Sequence, residues 1–446
     1  MSARGTVNAV FALALAALPL GARAAGETAV PAPAIETVGG STIVQQTDAR
    51  LPLVGVEVVV RAGLDRQTLK QNGLAALVAA AILHTPVART AGDASVPLDQ
   101  AVAANGGSVR VTVDPADVRF YIESLSTDAP AVVDLFRRAL AAPDFSATTM
   151  RAARAALITQ IAASQQYALQ VGIDMLNAAS SSQANAGMPS LGTPASLAQL
   201  LSADASAFYR TYYRRGGSYV SAAGRLETLD ATALRGIAEA LPEGNTAVVN
   251  VSVRPLHGAS REIVTHRDIA SPWLIAQYDA PGVDSRDFGP MLVLAAFVKR
   301  TLADIAQVPG VVSETFASRA VGAVYSYDRS PARLVLYVNG GIGNPSRAFA
   351  TALSVVNVLA ATRLEGSIDQ FKAQAAGDFA TSATTLETRA WLATVFARDG
   401  TSPDYLDRAL RAIASTTPED VQRVARTYMG KPTIALVLPR SGNLQN

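Results

Sequence analysis

Hydrophobic positions recur along the chain as short runs of β-branched residues and as longer stretches rich in alanine and leucine. Residues 51–63, "LPLVGVEVVVRAG", predict a strand that ends at glycine, and residues 72–85, "NGLAALVAAAILHT", predict a helix after it. Residues 98–125 predict a helix, a Gly-Gly turn and a hairpin, and residues 128–164 predict two helices divided near Pro143. Because strands and helices come in blocks rather than in strict alternation, the pattern favours an α+β fold.

A long internal repeat divides the chain into two halves. Residues 202–225, "SADASAFYRTYYRRGGSYVSAAGR", match residues 418–440, "PEDVQRVARTYMGKPTIALVLPR", with Asp204 opposite Asp420. Each copy predicts a helix with an acidic start, a glycine turn and a strand. "SPWLIAQYDAPG" (271–282), followed by a long helical stretch, echoes the start of the first half.

The repeat predicts two homologous domains, at residues 35–245 and 246–446, joined within residues 241–262. Each domain is expected to be a mostly antiparallel sheet packed against helices. The small and polar residues 177–196 predict an exposed loop between helices.

The first 24 residues have the pattern of a cleaved secretory signal peptide. Arg4 precedes an apolar run from about Val10 to Leu20, and Ala22-Arg23-Ala24 offers a cleavage site. A mitochondrial transit peptide is the alternative, although it would need more arginines. The apolar run is too short to span a membrane, so we expect a protein exported to a bacterial periplasm without membrane insertion.

Composition and charge restrict the classes of partner and chemistry. Hydrophobic residues make up 49% of the chain and charged residues 17%, as in globular proteins. The formal net charge is only +2, which does not favour a nucleic-acid partner. There is no cysteine, so disulfides, cysteine nucleophiles and thiolate metal sites are excluded.

Taken in order, these segments resemble the pitrilysin/insulinase family of zinc peptidases. The resemblance rests on "VGVEVVVRAGLDRQTLKQNGLAAL", "NGGSVRVTVDPADVRFYIESL", "SLGTPASLAQLLSADASAFYRTYYRRGGSYVSAAGRL" and "VGAVYSYD", together with the duplication. It implies that each chain is a half-shell and that two chains enclose a chamber for peptides.

Active members of that family carry an inverted zinc motif on the first helix: histidine, two residues, glutamate, histidine. Histidines four residues apart share one helix face and can bind one metal ion, while the glutamate activates water. The resemblance places the two histidine positions at Ala76 and Ala80, the base at Ala79, and the later glutamate ligand near Gln160. Alanine has no lone pair for a metal ion, so this chain is expected to bind no zinc. His84, His257 and His266 are the only histidines, and none forms a substitute motif.

The resemblance also implies an arginine and a tyrosine from the second domain that contact the substrate. Tyr325 has the expected spacing from Gly322, and Arg319 is the nearest arginine. Arg319 fits if the segment is one residue shorter than usual; otherwise Ser318 holds the position. The alternatives are a solvated Arg319 and a Tyr325 that only packs.

Three functions follow, in decreasing order of support. The first is a non-catalytic subunit of an exported heterodimeric zinc peptidase, in which a homologous partner supplies the zinc and the pair binds a peptide substrate. The second is a structural or peptide-binding pseudopeptidase, a homodimeric shell or a scaffold. The third, an enzyme of another class, has little support: "NGGS" is too weak to indicate nucleotide binding, and Asp114, Asp117 and Glu123 belong to no catalytic signature.

Overall fold

The structure is a computed structural model that describes residues 32–246, 261–306, 321–339 and 367–440, apart from residues 91, 182–184, 186, 230, 330 and 403. The predicted signal peptide and most of the predicted join between the halves lie outside these residues. None of the described helices is long and apolar enough to cross a membrane.

The N-terminal half contains one six-stranded sheet with helices around it. The sheet order is β1-β2-β8-β3-β7-β6, and a small β4–β5 pair lies apart. The strands are β1 Ala34–Val38, β2 Ser41–Thr47, β3 Leu53–Val60, β4 Pro86–Val87, β5 Val96–Pro97, β6 Ser108–Val113, β7 Val118–Leu125 and β8 Tyr219–Gly224. The helices are α1 Leu74–Leu83, α2 Leu98–Ala104, α3 Ala129–Ala141, α4 Ala147–Ser164, α5 Ala168–Ser180, α6 Pro194–Gln199, α7 Ser202–Tyr212 and α8 Ala231–Ala240.

The C-terminal half contains a five-stranded sheet in the order β11-β12-β10-β13-β9. Its strands are β9 Arg261–Arg267, β10 Trp273–Asp279, β11 Val321–Tyr325, β12 Arg333–Asn339 and β13 Thr433–Pro439. Its described helices are α9 Phe288–Ala306, α10 Ile368–Ser382, α11 Leu386–Arg398, α12 Tyr405–Ala414 and α13 Pro418–Tyr428.

The two sheets have the same topology. Read in equivalent positions, β9-β13-β10-β12-β11 repeats β2-β8-β3-β7-β6. Each sheet has one parallel pair, β2 with β8 and β13 with β9, and its other pairs are antiparallel. The predicted α+β fold with mostly antiparallel sheets is therefore confirmed, whereas the boundaries at residues 245 and 246 stay a prediction.

The central strand β3 is buried on both sides of its sheet. Val56, Val58 and Val60 join the apolar core of the N-terminal half, whereas Val59 belongs to the core of the C-terminal half. Since successive side chains of a strand point to opposite faces, β3 contributes to two cores at once. Burial on both faces explains why the strand sequence "LVGVEVVV" is a nearly continuous apolar run.

Equivalent helices are exchanged between the halves. Helix α5 follows α4 in the N-terminal half but packs on β10 and β13 of the C-terminal sheet. Helix α11 follows α10 in the C-terminal half but packs on β2, β3 and β8 of the N-terminal sheet. Each sheet is thus covered on one face by a helix from the other half. Helix α5 also corrects the prediction of a loop over residues 177–196, because the helix includes the first four of these residues.

Candidate functional site

The first helix starts where the resemblance placed it. Gly73 caps α1 with a φ of 90°, a left-handed conformation that favours glycine. A Cβ on Gly73 would lie 2.9 Å from Leu197 Cδ2 and 3.0 Å from the Cα of Gly192. The Ala75 amide donates to Gln67 Oε1 at 3.1 Å. The conformation and the close contacts both explain why the helix begins at a glycine.

The helix itself offers no ligand. Ala76, Ala79 and Ala80 are 2%, 0% and 8% exposed, and all three lie in the apolar core of the N-terminal half. Among the described residues, no group of three or more histidine, cysteine or carboxylate side chains could hold a metal ion. A zinc ion of the family type does not fit these residues, because methyl groups stand at both histidine positions and at the base.

The predicted third ligand position lies on α4. Gln160 lies on α4, which packs against α1, but its side chain is exposed to solvent. The residues of α4 that join the core around Ala76 and Ala80 include Ala153 and Leu157. Gln160 lies three residues after Leu157, which is about 60° away around the helix, so both lie towards one side of α4. The assignment of Gln160 to the third ligand position therefore stays a prediction.

The histidines do not compensate for the alanines. His84 follows α1 and its Nδ1 lies 3.8 Å from Asp99 Oδ2. His266 is exposed on β9, at an edge of the other sheet. His257 lies outside the described residues.

A carboxylate pair lies next to the start of α1. Burial raises the pKa of Asp65 to about 6, against the opposing effect of Arg66, whose Nε lies 3.5 Å from Oδ1. Burial also raises the pKa of Asp117, which pairs with Arg398 of α11 at 3.2 Å. Since both acids face arginines, the cluster connects the two halves and has the character of a structural network.

The tyrosine proposed to bind substrate is packed in the core. Tyr325 is 8% exposed, its hydroxyl donates to the Pro281 carbonyl at 2.5 Å, and its ring centre lies 5.3 Å from that of Tyr327. Burial raises the pKa of Tyr325 well above its usual value. The geometry supports the packing interpretation, and a substrate contact by Tyr325 stays a prediction. Arg319 and Ser318 lie outside the described residues.

The hairpin strand that could bind a peptide lies at an edge. β6 is the last strand of the N-terminal sheet and pairs only with β7 among the described strands. Ser108 and Arg110 are exposed along it, and Arg110 Nη2 lies 2.6 Å from Glu387 Oε2. An edge strand presents unpaired backbone groups to a further strand.

The sequence reading missed a charged group in the centre of β3. Glu57 is 1% exposed, and Arg119 Nη1 lies 3.4 Å from its Oε1. Burial raises the pKa of Glu57 to about 8, although Arg119 opposes the shift. A single glutamate within the apolar run of β3 is the sequence feature that could have indicated this buried charge. The run alone does not show which face of the sheet the glutamate lies on.

The comparisons with known proteins agree with this geometry. Residues 42–194 match the family model described as insulinase (peptidase family M16). No curated protein is similar enough in sequence to match the chain.

Solved structures match nearly the whole chain. A peptidase M16 inactive domain from Pseudomonas fluorescens is 15% identical, with a TM-score of 0.71 over 91% of this chain and 98% of that one. A protease from Helicobacter pylori is 14% identical, with a TM-score of 0.75 over 92% and 100%. A chain of Complex III2 from Candida albicans is 15% identical, with a TM-score of 0.72 over 93% and 97%. At such identities the likeness concerns the fold. Residues 42–194 are thus similar to the insulinase (peptidase family M16) model, and the chain has the fold of the M16-like structures that it matches.

Proposed function

We propose that this chain is the non-catalytic subunit of an exported heterodimeric zinc peptidase. The observation that carries the proposal is the alanine face of α1: Ala76, Ala79 and Ala80 stand where an M16 peptidase needs two ligands and a base, within a fold that is otherwise intact. A chain that keeps this fold but has no metal ligands on α1 can provide a binding surface for a peptide, but it cannot hydrolyse the peptide itself. A homologous partner would supply the zinc.

The surface that this subunit offers to a peptide is the free edge of β6. Backbone groups along Ser108–Val113 can pair with an extended chain of any sequence. That mode suits short or unfolded peptides, for which side-chain specificity is low. Export to the periplasm rests on the pattern of residues 1–24.

Reconstitution tests the proposal. The purified chain should contain no stoichiometric zinc by elemental analysis and should cleave no peptide. Mixed with a homologous exported chain that carries the intact histidine-glutamate-histidine helix, it should form a stable complex with higher turnover than that chain alone. One tightly held zinc ion per chain, or cleavage by this chain in isolation, would contradict the proposal.

The contribution of the second domain is tested in the same complex. Arg319→Ala and Tyr325→Phe should lower turnover if these residues reach the substrate. For Tyr325, thermal unfolding must be measured in parallel, because the variant also loses the hydrogen bond to Pro281. Lower stability with unchanged turnover would assign Tyr325 to packing.

An assembly role is the second candidate. It is favoured by the likeness to a chain of a multi-subunit complex, Complex III2. A stable complex that forms without any change in the partner's turnover would support it.

A further inference from the structure

A cavity of about 190 Å³ lies between α5 and the β11–β12 hairpin. Among the described elements, α5 packs on β10 and β13, and β11 lies beyond this contact at the edge of the sheet. Ile173 of α5 and Val335 of β12 form apolar walls, and Val324 of the edge strand, which is 50% exposed, lies at the solvent side. An engineered apolar cavity of about 150 Å³ binds benzene, so this cavity has room for an apolar group of that size.

One polar group in the wall is buried and incompletely paired. Arg333 is 7% exposed, and its Nη1 donates to Asp279 Oδ1 in the neighbouring strand. Its Nη2 is buried and has no hydrogen-bond partner in the part of the chain that the structure describes. A buried guanidinium nitrogen without an acceptor costs free energy, so an oxygen at this position would be stabilised.

The charged side chains that reach the cavity wall are basic. Both charged residues that line it are arginines, Arg333 in the wall and the half-exposed Arg329. Asp279 and Asp114 pair with these arginines, and Asp174 of α5 interacts with Arg329, but none of the three acids lines the cavity. A guanidinium that already has one carboxylate partner still presents free N–H donors to a second oxygen.

We propose that this cavity binds a carboxylate attached to an apolar group, with the apolar group against Ile173 and Val335 and a carboxylate oxygen accepting from the Arg333 guanidinium. Two sources share that chemistry: the C-terminal residue of a peptide and a free small carboxylic acid. The site does not depend on the proposed function, because it uses neither the alanine face of α1 nor the edge of β6.

Calorimetric titration of the full chain tests the site with matched acids and amides. The probes are hydrocinnamate against hydrocinnamide, and a short glycine-rich peptide that ends in phenylalanine, as the free acid against the C-terminal amide. Each acid should bind about tenfold or more tightly than its amide, because the amide loses the charged hydrogen bond to Arg333. Tighter binding of the peptide acid would identify a peptide terminus, and equal binding would identify the small acid. Failure of both acids to bind, or equal affinity of acids and amides, would overturn the proposal.

Two variants locate the binding. Val324→Trp should block the cavity and weaken binding by about tenfold or more, because the indole would occupy the space of the ligand. Val264→Trp is the matched control, since Val264 is 48% exposed on β9 at the opposite edge of the same sheet. Arg333→Lys keeps the positive charge but removes the planar guanidinium, and should reduce the preference for the acid. Unchanged binding in Val324→Trp would place the ligand elsewhere.

Discussion

The two exchanged helices cover equivalent sheet faces with different chemistry. Helix α11 meets the N-terminal sheet through apolar groups, such as Leu386 and Ala390, and also through buried polar and charged groups. Arg389 donates to Gln46 at 3.1 Å and to Asp48 at 2.7 Å, and the hydroxyls of Ser221 and Thr394 are 2.5 Å apart. All of these contacts are buried.

Helix α5 meets the C-terminal sheet through apolar groups. Ala168, Val171 and Leu176 form a cluster with Ile275 and Val437. Gly172 lets the helix approach closely, since a Cβ there would lie 2.4 Å from Ile275 Cδ1.

The difference shows that one topology can be held by two kinds of contact. Charged pairs are directional, so the α11 contact fixes how the helix lies on its sheet, at a desolvation cost. Apolar contacts are not directional, and the α5 contact leaves a cavity beside it. The polar contact is therefore suited to joining the halves, and the apolar one to accepting a ligand.

The largest change in the free energy of unfolding is expected at Trp391, a buried aromatic residue of α11. Trp391 is 5% exposed, its indole N–H donates to Asp328 at 3.0 Å, and the Arg119 guanidinium lies 4.0 Å from the ring centre. Trp391→Ala should lower the free energy of unfolding by about 3–5 kcal/mol, measured by urea denaturation. Tyr167→Ala, at a side chain that is 68% exposed, is the control and should change it by less than about 0.5 kcal/mol. Equal losses of stability in the two variants would mean that the contact between α11 and the N-terminal sheet contributes little to the free energy of unfolding.

The polar contact should also make stability depend on pH through Glu57. Its pKa is about 8 in the folded state against 4.5 for an ordinary glutamate. Between these two pH values the unfolded chain loses a proton that the folded chain keeps, which favours unfolding. The contribution of Glu57 to the free energy of unfolding is therefore full below pH 4.5 and is lost as pH rises through about 8. Between pH 5.5 and 7.5 the loss should be about 2 kcal/mol.

Glu57→Gln mimics the protonated form and should flatten that dependence in denaturation curves collected across the pH range. Glu239→Gln, at an exposed position of α8, should leave the dependence as in the unmodified chain. A Glu57→Gln variant with the original pH dependence would show that Glu57 is ionised at neutral pH.

The smallest predicted changes in stability concern two helical glycines, Gly172 and Gly377. Gly172→Ala forces a Cβ against Ile275, and this overpacking should outweigh the gain in helix propensity, for a net loss of about 1 kcal/mol. Gly377→Ala in α10 is the matched change, because a Cβ at Gly377 meets nothing within 4 Å. It should raise stability by about 0.5–1 kcal/mol. Stabilisation by both variants in thermal denaturation would show that α5 does not approach its sheet closely.

The sequence by itself determined the fold class and excluded metal ligation by three residues of α1. The apolar run of β3, the hairpin 105–123 and the repeated helix-turn-strand segments are local patterns, and each became the predicted element. The alanines at 76, 79 and 80 exclude ligation by their chemistry, whatever surrounds them. The assignment of Gln160 to a ligand position stays a prediction, since it depends on the length of an intervening loop.

Only the tertiary structure decided which helix covers which sheet, and hence where the chemistry lies. A buried helix has the same pattern whether it packs on its own sheet or on the other one, so nothing in the segments of α5 and α11 predicts their exchange. The burial of Glu57 and the cavity at Arg333 both follow from that exchange, because desolvation and cavity shape depend on residues distant in sequence that the fold brings together.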